Sequence, residues 1–268
     1  MKKVSYIALN TFKEAVRDKV LYTILAFAML MIASSSILAT LSVGGEVKLI
    51  EDLGLASISI FGTIMAIFIG IGLVSKEIEK RTIYTIISKP IYRYQFILGK
   101  FLGLVVTLAV NVGVMALGLL VFSAMGRQLW DPSVLVPGHY PPWNPVLLLA
   151  VSLIFLELAV ITAVAILFSS FSTPTLSAIF TLAIFVIGRL SSDLKLFAAQ
   201  FGGRNLKAIV NAIYYLLPNL SNFNIKGQVV HGLPLSPSYI LYTIIYGLFY
   251  LSVVLVLSMF IFQRRDFK

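Results

Sequence analysis

A single carboxylate stands inside an otherwise apolar run. Glu157 lies within Val146–Phe168, with Leu153, Ile154, Val160 and Ile161 at the i±3 and i±4 positions, so its own helix offers no polar neighbour. A charge at mid-bilayer costs about 2.5–3.5 kcal/mol on insertion scales. Glu157 must therefore be protonated or paired across helices. It reads either as a substrate-path or proton-relay residue, or as a packing residue with one interhelical hydrogen bond. Gly99, Gly103, Thr107 and Asn111 recur at steps of four. Small residues let helices approach closely and Asn can bond across the gap, so the stripe reads as a packing seam ahead of a pore lining. Asn111 is the polar partner expected for Glu157.

Chemistry of the soluble-enzyme kind finds no footing. His139 and His231 are the two histidines and lie far apart, too few for a zinc site without carboxylates to complete it. There is no His-Glu-x-x-His and no Gly-x-Ser-x-Gly. Gly99-Lys100 is not a phosphate-binding loop: Tyr94 stands where the earlier Gly is needed, and Phe101 where a Ser or Thr would hold magnesium. With no Cys in the chain there is no disulfide and no thiolate site. The expectation is a chain that is not an enzyme and carries no cofactor or metal.

The elements that position these residues follow from composition. Hydrophobic residues make up 59% of the 268 and charged residues 12%, against about 45–50% and about 25% in soluble domains. The apolar runs are continuous, which excludes the alternation of a membrane β-barrel. Six runs are long enough to span a bilayer: about Val20–Val43, Leu55–Val74, Phe101–Met125, Val146–Phe168, Pro174–Leu190 and Tyr239–Phe262. Glu14 and Asp18 precede the first, which is too long for the core of a cleaved signal, so it is expected to remain. The fold class is an all-α membrane protein, a single domain over residues 1–268.

A formal charge of +10 would suggest nucleic acid in a soluble protein. Here the cations report orientation instead. Fourteen of the 21 Lys and Arg precede the first span, join the second to the third, or follow the sixth. The positive-inside rule then puts both termini and the 75–100 loop in the cytoplasm, with no nucleic-acid partner.

Four segments lie outside the spans. Residues 1–19 place Val4, Ile7, Ala8, Thr11, Ala15 and Val16 near one helical face and charges on the rest, as in a helix lying in the headgroup layer. In 75–100, Ser75 can cap a helix whose first turns carry Glu77 and Glu79, with Glu77 and Arg81 at i, i+4. Ile78, Thr82, Ile83, Ile86 and Ile87 form its apolar side and Pro90 stops it; headgroups or a partner protein must cover that side. Residues 126–145 form a turn-rich cap with Trp130 and Trp143 at the interface. In 191–238, Leu194, Phe197 and Phe201 suggest a short helix broken at Gly202-Gly203. Leu206, Ile209, Val210, Ile213, Leu216 and Leu217 suggest a second, ended by Pro218. This segment has two uses open to it, packing at the interface or docking an extracytoplasmic protein.

The order of parts resembles the permease subunits of ABC transporters of the type-2 exporter class. The likeness is specific over about 75–103, where Glu77, Glu79, Thr82, Ser88, Pro90, Arg93, Gly99 and Lys100 match the family's loop and Arg81 stands where Gly is common. The resemblance implies an elbow helix at 1–19 and a coupling helix at 75–90. The coupling contacts would come from Glu77, Ile78, Glu79, Lys80, Arg81, Thr82, Ile83, Tyr84, Ser88 and Pro90. It further implies two separate ATPase subunits and a second permease copy, as a homodimer in the inner membrane of a prokaryote. Two other readings stay open. One is a permease-like subunit passing ATPase-driven motion to an extracytoplasmic partner. The other is a secondary transporter without ATPase, for which no inverted repeat is visible. An intramembrane enzyme would rest on Glu157 alone.

Overall fold

A computed structural model describes residues 2–42, 45–79, 92–130, 144–201 and 203–264; over 73–79 and at Arg204 it describes the backbone alone. Among the described residues every regular element is helical. Hydrocarbon leaves backbone N–H and C=O groups no water to bond, and a helix satisfies them internally. Hydroxyls are absorbed in the same way: Thr63, Thr107, Thr162 and Thr181 each donate to the carbonyl four residues back.

In chain order the helices are α1 (Lys2–Ala15), α2 (Lys19–Ala39), α3 (Glu46–Glu79), α4 (Arg93–Trp130), α5 (Val146–Ser169), α6 (Pro174–Phe201), α7 (Arg204–Leu216), α8 (Lys226–Val230) and α9 (Pro237–Arg264), with a 3-10 turn at Leu220–Phe223. Six of them, α2 to α6 and α9, are long and apolar enough to cross a membrane. An even number of crossings returns the chain to the side it left. That side, where α1 lies, is called the near side below, and the opposite one the far side.

The boundaries have local causes. Asp18 accepts the Val20 N–H at 3.0 Å and so caps α2. Pro174 and Pro237 open α6 and α9, where a missing N–H is harmless. Helix α7 begins after its N-cap Gly203 and ends two residues before Pro218.

The central layer is α3, α4 and α5, which pack against one another. Helices α2, α6 and α9 flank them with most of their surface facing outward. At about 1.5 Å per residue, the 34 residues of α3 reach about 51 Å and the 38 of α4 about 57 Å. Both exceed the roughly 30 Å hydrocarbon core, so both project beyond it.

Several expectations are corrected here. Helix α3 runs through Ser75 to Glu79 without a break, so Ser75 does not cap a new helix. The fifth span is the 28-residue helix Pro174–Phe201, and Leu194, Phe197 and Phe201 belong to it rather than to a separate helix. Helix α1, expected in the headgroup layer, also packs along α4. The chain beyond α7 turns back into the bundle: Leu220, Phe223, Ile225, Val229 and Val230 are all buried.

Candidate functional site

Two clusters of charge are built by the fold. The first lies at Glu157, which is 1% exposed. Its Oε1 accepts a 2.8 Å hydrogen bond from the Arg189 guanidinium of α6, closing a salt bridge between α5 and α6. The expected partner Asn111 is not involved: its amide donates to the Thr107 carbonyl of its own helix at 2.8 Å. The bond to Arg189 supplies a counter-charge, which an amide could not. Glu157 Oε2 accepts no hydrogen bond among the described residues.

Lys226, at the start of α8, belongs to the same electrostatic group. Burial first, and then the neighbouring Arg189 charge, pull its ammonium down to about 8 from the usual 10.5, against the opposing pull of Glu157 and Asp52. Two acids and two bases from α3, α5, α6 and α8 thus meet where the returning segment enters the bundle. Gly188 makes that return possible, since a Cβ there would stand 2.5 Å from the Pro218 carbonyl oxygen. Next to it, buried Asn219 ties the turn down: its side-chain oxygen accepts from the Ser191 hydroxyl (2.7 Å) and its N–H donates to the Tyr246 hydroxyl (2.8 Å).

A companion pair sits nearer the far-side ends of α3 and α4. Glu51 is buried and accepts from Arg127 (2.7 Å) and Ser123 (2.9 Å). Glu157 is therefore not the sole acidic residue within a spanning helix.

The second cluster gathers the near-side ends. Gly99 and Gly103 form a trough for α1: a Cβ at Gly99 would lie 2.6 Å from Ile7 Cβ, and one at Gly103 2.6 Å from the Ala8 carbonyl oxygen. Lys100, 1% exposed, reaches Glu14 of α1 at 3.6 Å and lies over the Phe96 ring. Arg93 donates to the Gln263 carbonyl at 2.8 Å, satisfying the end of α9 where a cation also meets the helix dipole favourably. Phe96 stacks on Phe262, with centroids 5.6 Å apart. The first three turns of α4 thus hold both α1 and the end of α9, beside the point where α3 leaves the span.

A family model described as ABC-2 family transporter protein matches residues 5–267. The chain belongs to that family. No curated protein matches it.

As an ABC-2 family member the chain is a multi-pass ABC transporter permease, and the family implies an ATPase partner. Of the residues expected to contact that partner, Glu77, Ile78 and Glu79 form the last residues of α3. Lys80, Arg81, Thr82, Ile83, Tyr84, Ser88 and Pro90 lie outside the described residues. So do His139 and Trp143. Arg93, Gly99 and Lys100, matched to the same family stretch, anchor α9 and α1 to α4. Sequence reasoning missed Arg189, Lys226 and Asn219. The signals available were Arg189, inside the run read as Pro174–Leu190, and a polar Asn directly behind the helix-ending Pro218.

Proposed function

We propose that this chain is the permease of an ATP-driven exporter, working with two separate ATPase subunits and a second copy of itself. The near side is the cytoplasm of a prokaryotic cell, with both termini there, and the membrane is the cytoplasmic one. The segment 75–90 is the coupling element seated on the ATPase, α1 is the elbow, and the stretch between α6 and α9 is on the outer side of the membrane. Substrate class is set by surfaces the two copies form together.

The observation that carries this reading is the gathering of the near-side ends. The long helices α3 and α4 project past the hydrocarbon on either side of 80–91, and Arg93, Gly99, Gly103 and Lys100 join α4 to both α1 and α9. A push on the 75–90 segment would reach four helices at once. ATPase closure would then tilt each half as a unit, and the Glu157–Arg189 pair would carry that tilt from α5 to α6.

The test is purification from membranes with a tagged chain. The reading expects a nucleotide-binding subunit in equal molar amount, with ATP hydrolysis that is blocked by vanadate and altered by reconstitution in lipid. A chain that purifies as a self-sufficient transporter, driven by an ion gradient and indifferent to ATP, would overturn it. Helix α7 favours a second reading, in which motion is passed to an external protein, because Leu206, Ile209 and Leu216 are exposed there. Ile209→Ser with Leu216→Ser would abolish the activity under that reading and leave hydrolysis and export intact under the first.

A further inference from the structure

Glu157 stands in the middle turns of α5, at a depth where a charge without a partner is costly. Its carboxylate has two oxygens, and the Arg189 bond uses one. Oε2 is buried and accepts nothing among the described residues. A second cation is at hand. Lys226 is attracted by Glu157 and repelled by Arg189, yet it donates no hydrogen bond and closes no salt bridge among the described residues. Asp52, the other acid of the group, is exposed, and exposed pairs contribute little. One buried carboxylate thus serves two cations, of which one is bonded. The guanidinium binds through a rigid planar fork, whereas an ammonium on a flexible four-carbon stem turns readily to a new acceptor.

The two cations belong to different parts of the fold. Arg189 is on α6, and the turn behind α7 goes with it, because Asn219 accepts from Ser191. Lys226 opens α8, which packs on α3 and α5 with Val229 and Val230 buried. Glu157 therefore stands between a flanking helix and a short helix seated on the central layer. We propose that Lys226 is the standby partner of Glu157: when α6 draws Arg189 away, the ammonium turns onto Oε2 and keeps α8 locked to α5. Tilting of a half as one unit leaves the Arg189 bond closed. Opening of α6 from α5 breaks it, and Lys226 then takes the carboxylate over. Helix α6 can move in this way without stranding a charge in the bilayer. That an ATPase drives α6 rests on the function proposed above; the change of partner belongs to this chain alone.

The test therefore uses the full chain in detergent at pH 7, without ATPase. Four variants are compared with wild type: Arg189→Met, Lys226→Met, the two together, and Arg189→Met with Lys226→Arg. Arg189→Met should slow hydrogen exchange over 226–231 by about tenfold, as one new charge-assisted hydrogen bond would give. Each single variant should lower the thermal unfolding midpoint by at most about 3 °C. The double Met variant strands Glu157 and should lose about 6 °C or more. Arg189→Met with Lys226→Arg should match Arg189→Met alone, since either cation serves. Losses that simply add in the double Met variant would overturn the proposal. So would exchange over 226–231 that is unchanged or faster in Arg189→Met, an Arg189→Met chain that does not fold, or a Lys226→Arg combination as unstable as the double Met variant. Should the double Met variant not fold, the exchange rate in Arg189→Met decides alone. A chain that passes but proves indifferent to ATP keeps the standby pair and loses only the reading of what moves α6.

Discussion

At the scale of single residues, the Glu157–Arg189 bridge joins α5 to α6. Removing one partner of a buried pair leaves a charge without compensation, whereas replacing both by apolar groups is often nearly neutral. Arg189 is 22% exposed, which softens the loss. Glu157→Leu should therefore destabilise the chain by about 2–3 kcal/mol in detergent, and Glu157→Leu with Arg189→Leu should recover more than half of that. A double variant whose losses simply add would contradict the coupling. Lys226 gives a dependence on pH. Its ammonium sits near 8 when the returning segment is docked and near 10.5 when it is free, so the free state binds more protons between those values. Docking should strengthen as pH rises from about 8 to 10.5 and stay level below 8. Hydrogen exchange over 226–231, corrected for intrinsic rates, should show that trend in the wild type and lose it in Lys226→Met. Glu157 was legible because a carboxylate in an apolar run must have a partner. The partner was not, because Arg189 stands 32 positions away and reads as the end of a span; which helices are neighbours is a property of packing that no periodicity carries.

At the scale of elements, α1 is held by absence of side chain on α4. Gly99 and Gly103 bring the two backbones close, and Thr11 of α1 is fully buried against that trough. Gly103→Leu should lift α1 away. Because the chain has no native cysteine, Thr11→Cys reports this directly: it should resist a water-soluble maleimide in the parent and react readily once Gly103→Leu is added. Equal labelling in both would mean that α1 does not depend on the seam. The six spans were readable from their apolar runs alone; of the stripe at steps of four, Gly99 and Gly103 pack on α1, while Thr107 and Asn111 bond back to carbonyls of their own helix. The partner of the two glycines, the N-terminal helix, was not foreseen, since an amphipathic helix suits a headgroup layer and a protein groove equally well. Helix α6 was read eleven residues short because Arg189, Asp193 and Lys195 resemble a helix leaving the membrane. In the fold Arg189 turns inward to Glu157, and Lys195 lies over the Tyr214 ring at 4.0 Å.

At the scale of the whole molecule, six crossings and a basic near side predict where each loop lies. Reporter fusions at Gly44, Arg127 and Gly227 should be external, and fusions at Ser88 and Lys268 cytoplasmic; an external result at Lys268 would refute the orientation. The central claim is that this ABC-2 family permease is driven by an ATPase through residues 75–90. Helices α3 and α4 lead out to that stretch, and the anchors at Arg93 and Lys100 connect it to both ends of the chain. The most direct measurement is cross-linking from Ile78→Cys and Ile83→Cys, one at a time, in complexes purified with the ATPase. A short bifunctional reagent should join each cysteine to the ATPase, and the yield should differ between the nucleotide-free and vanadate-trapped states. Cysteines that react with lipid-borne probes yet never link to the ATPase in either state would contradict the account.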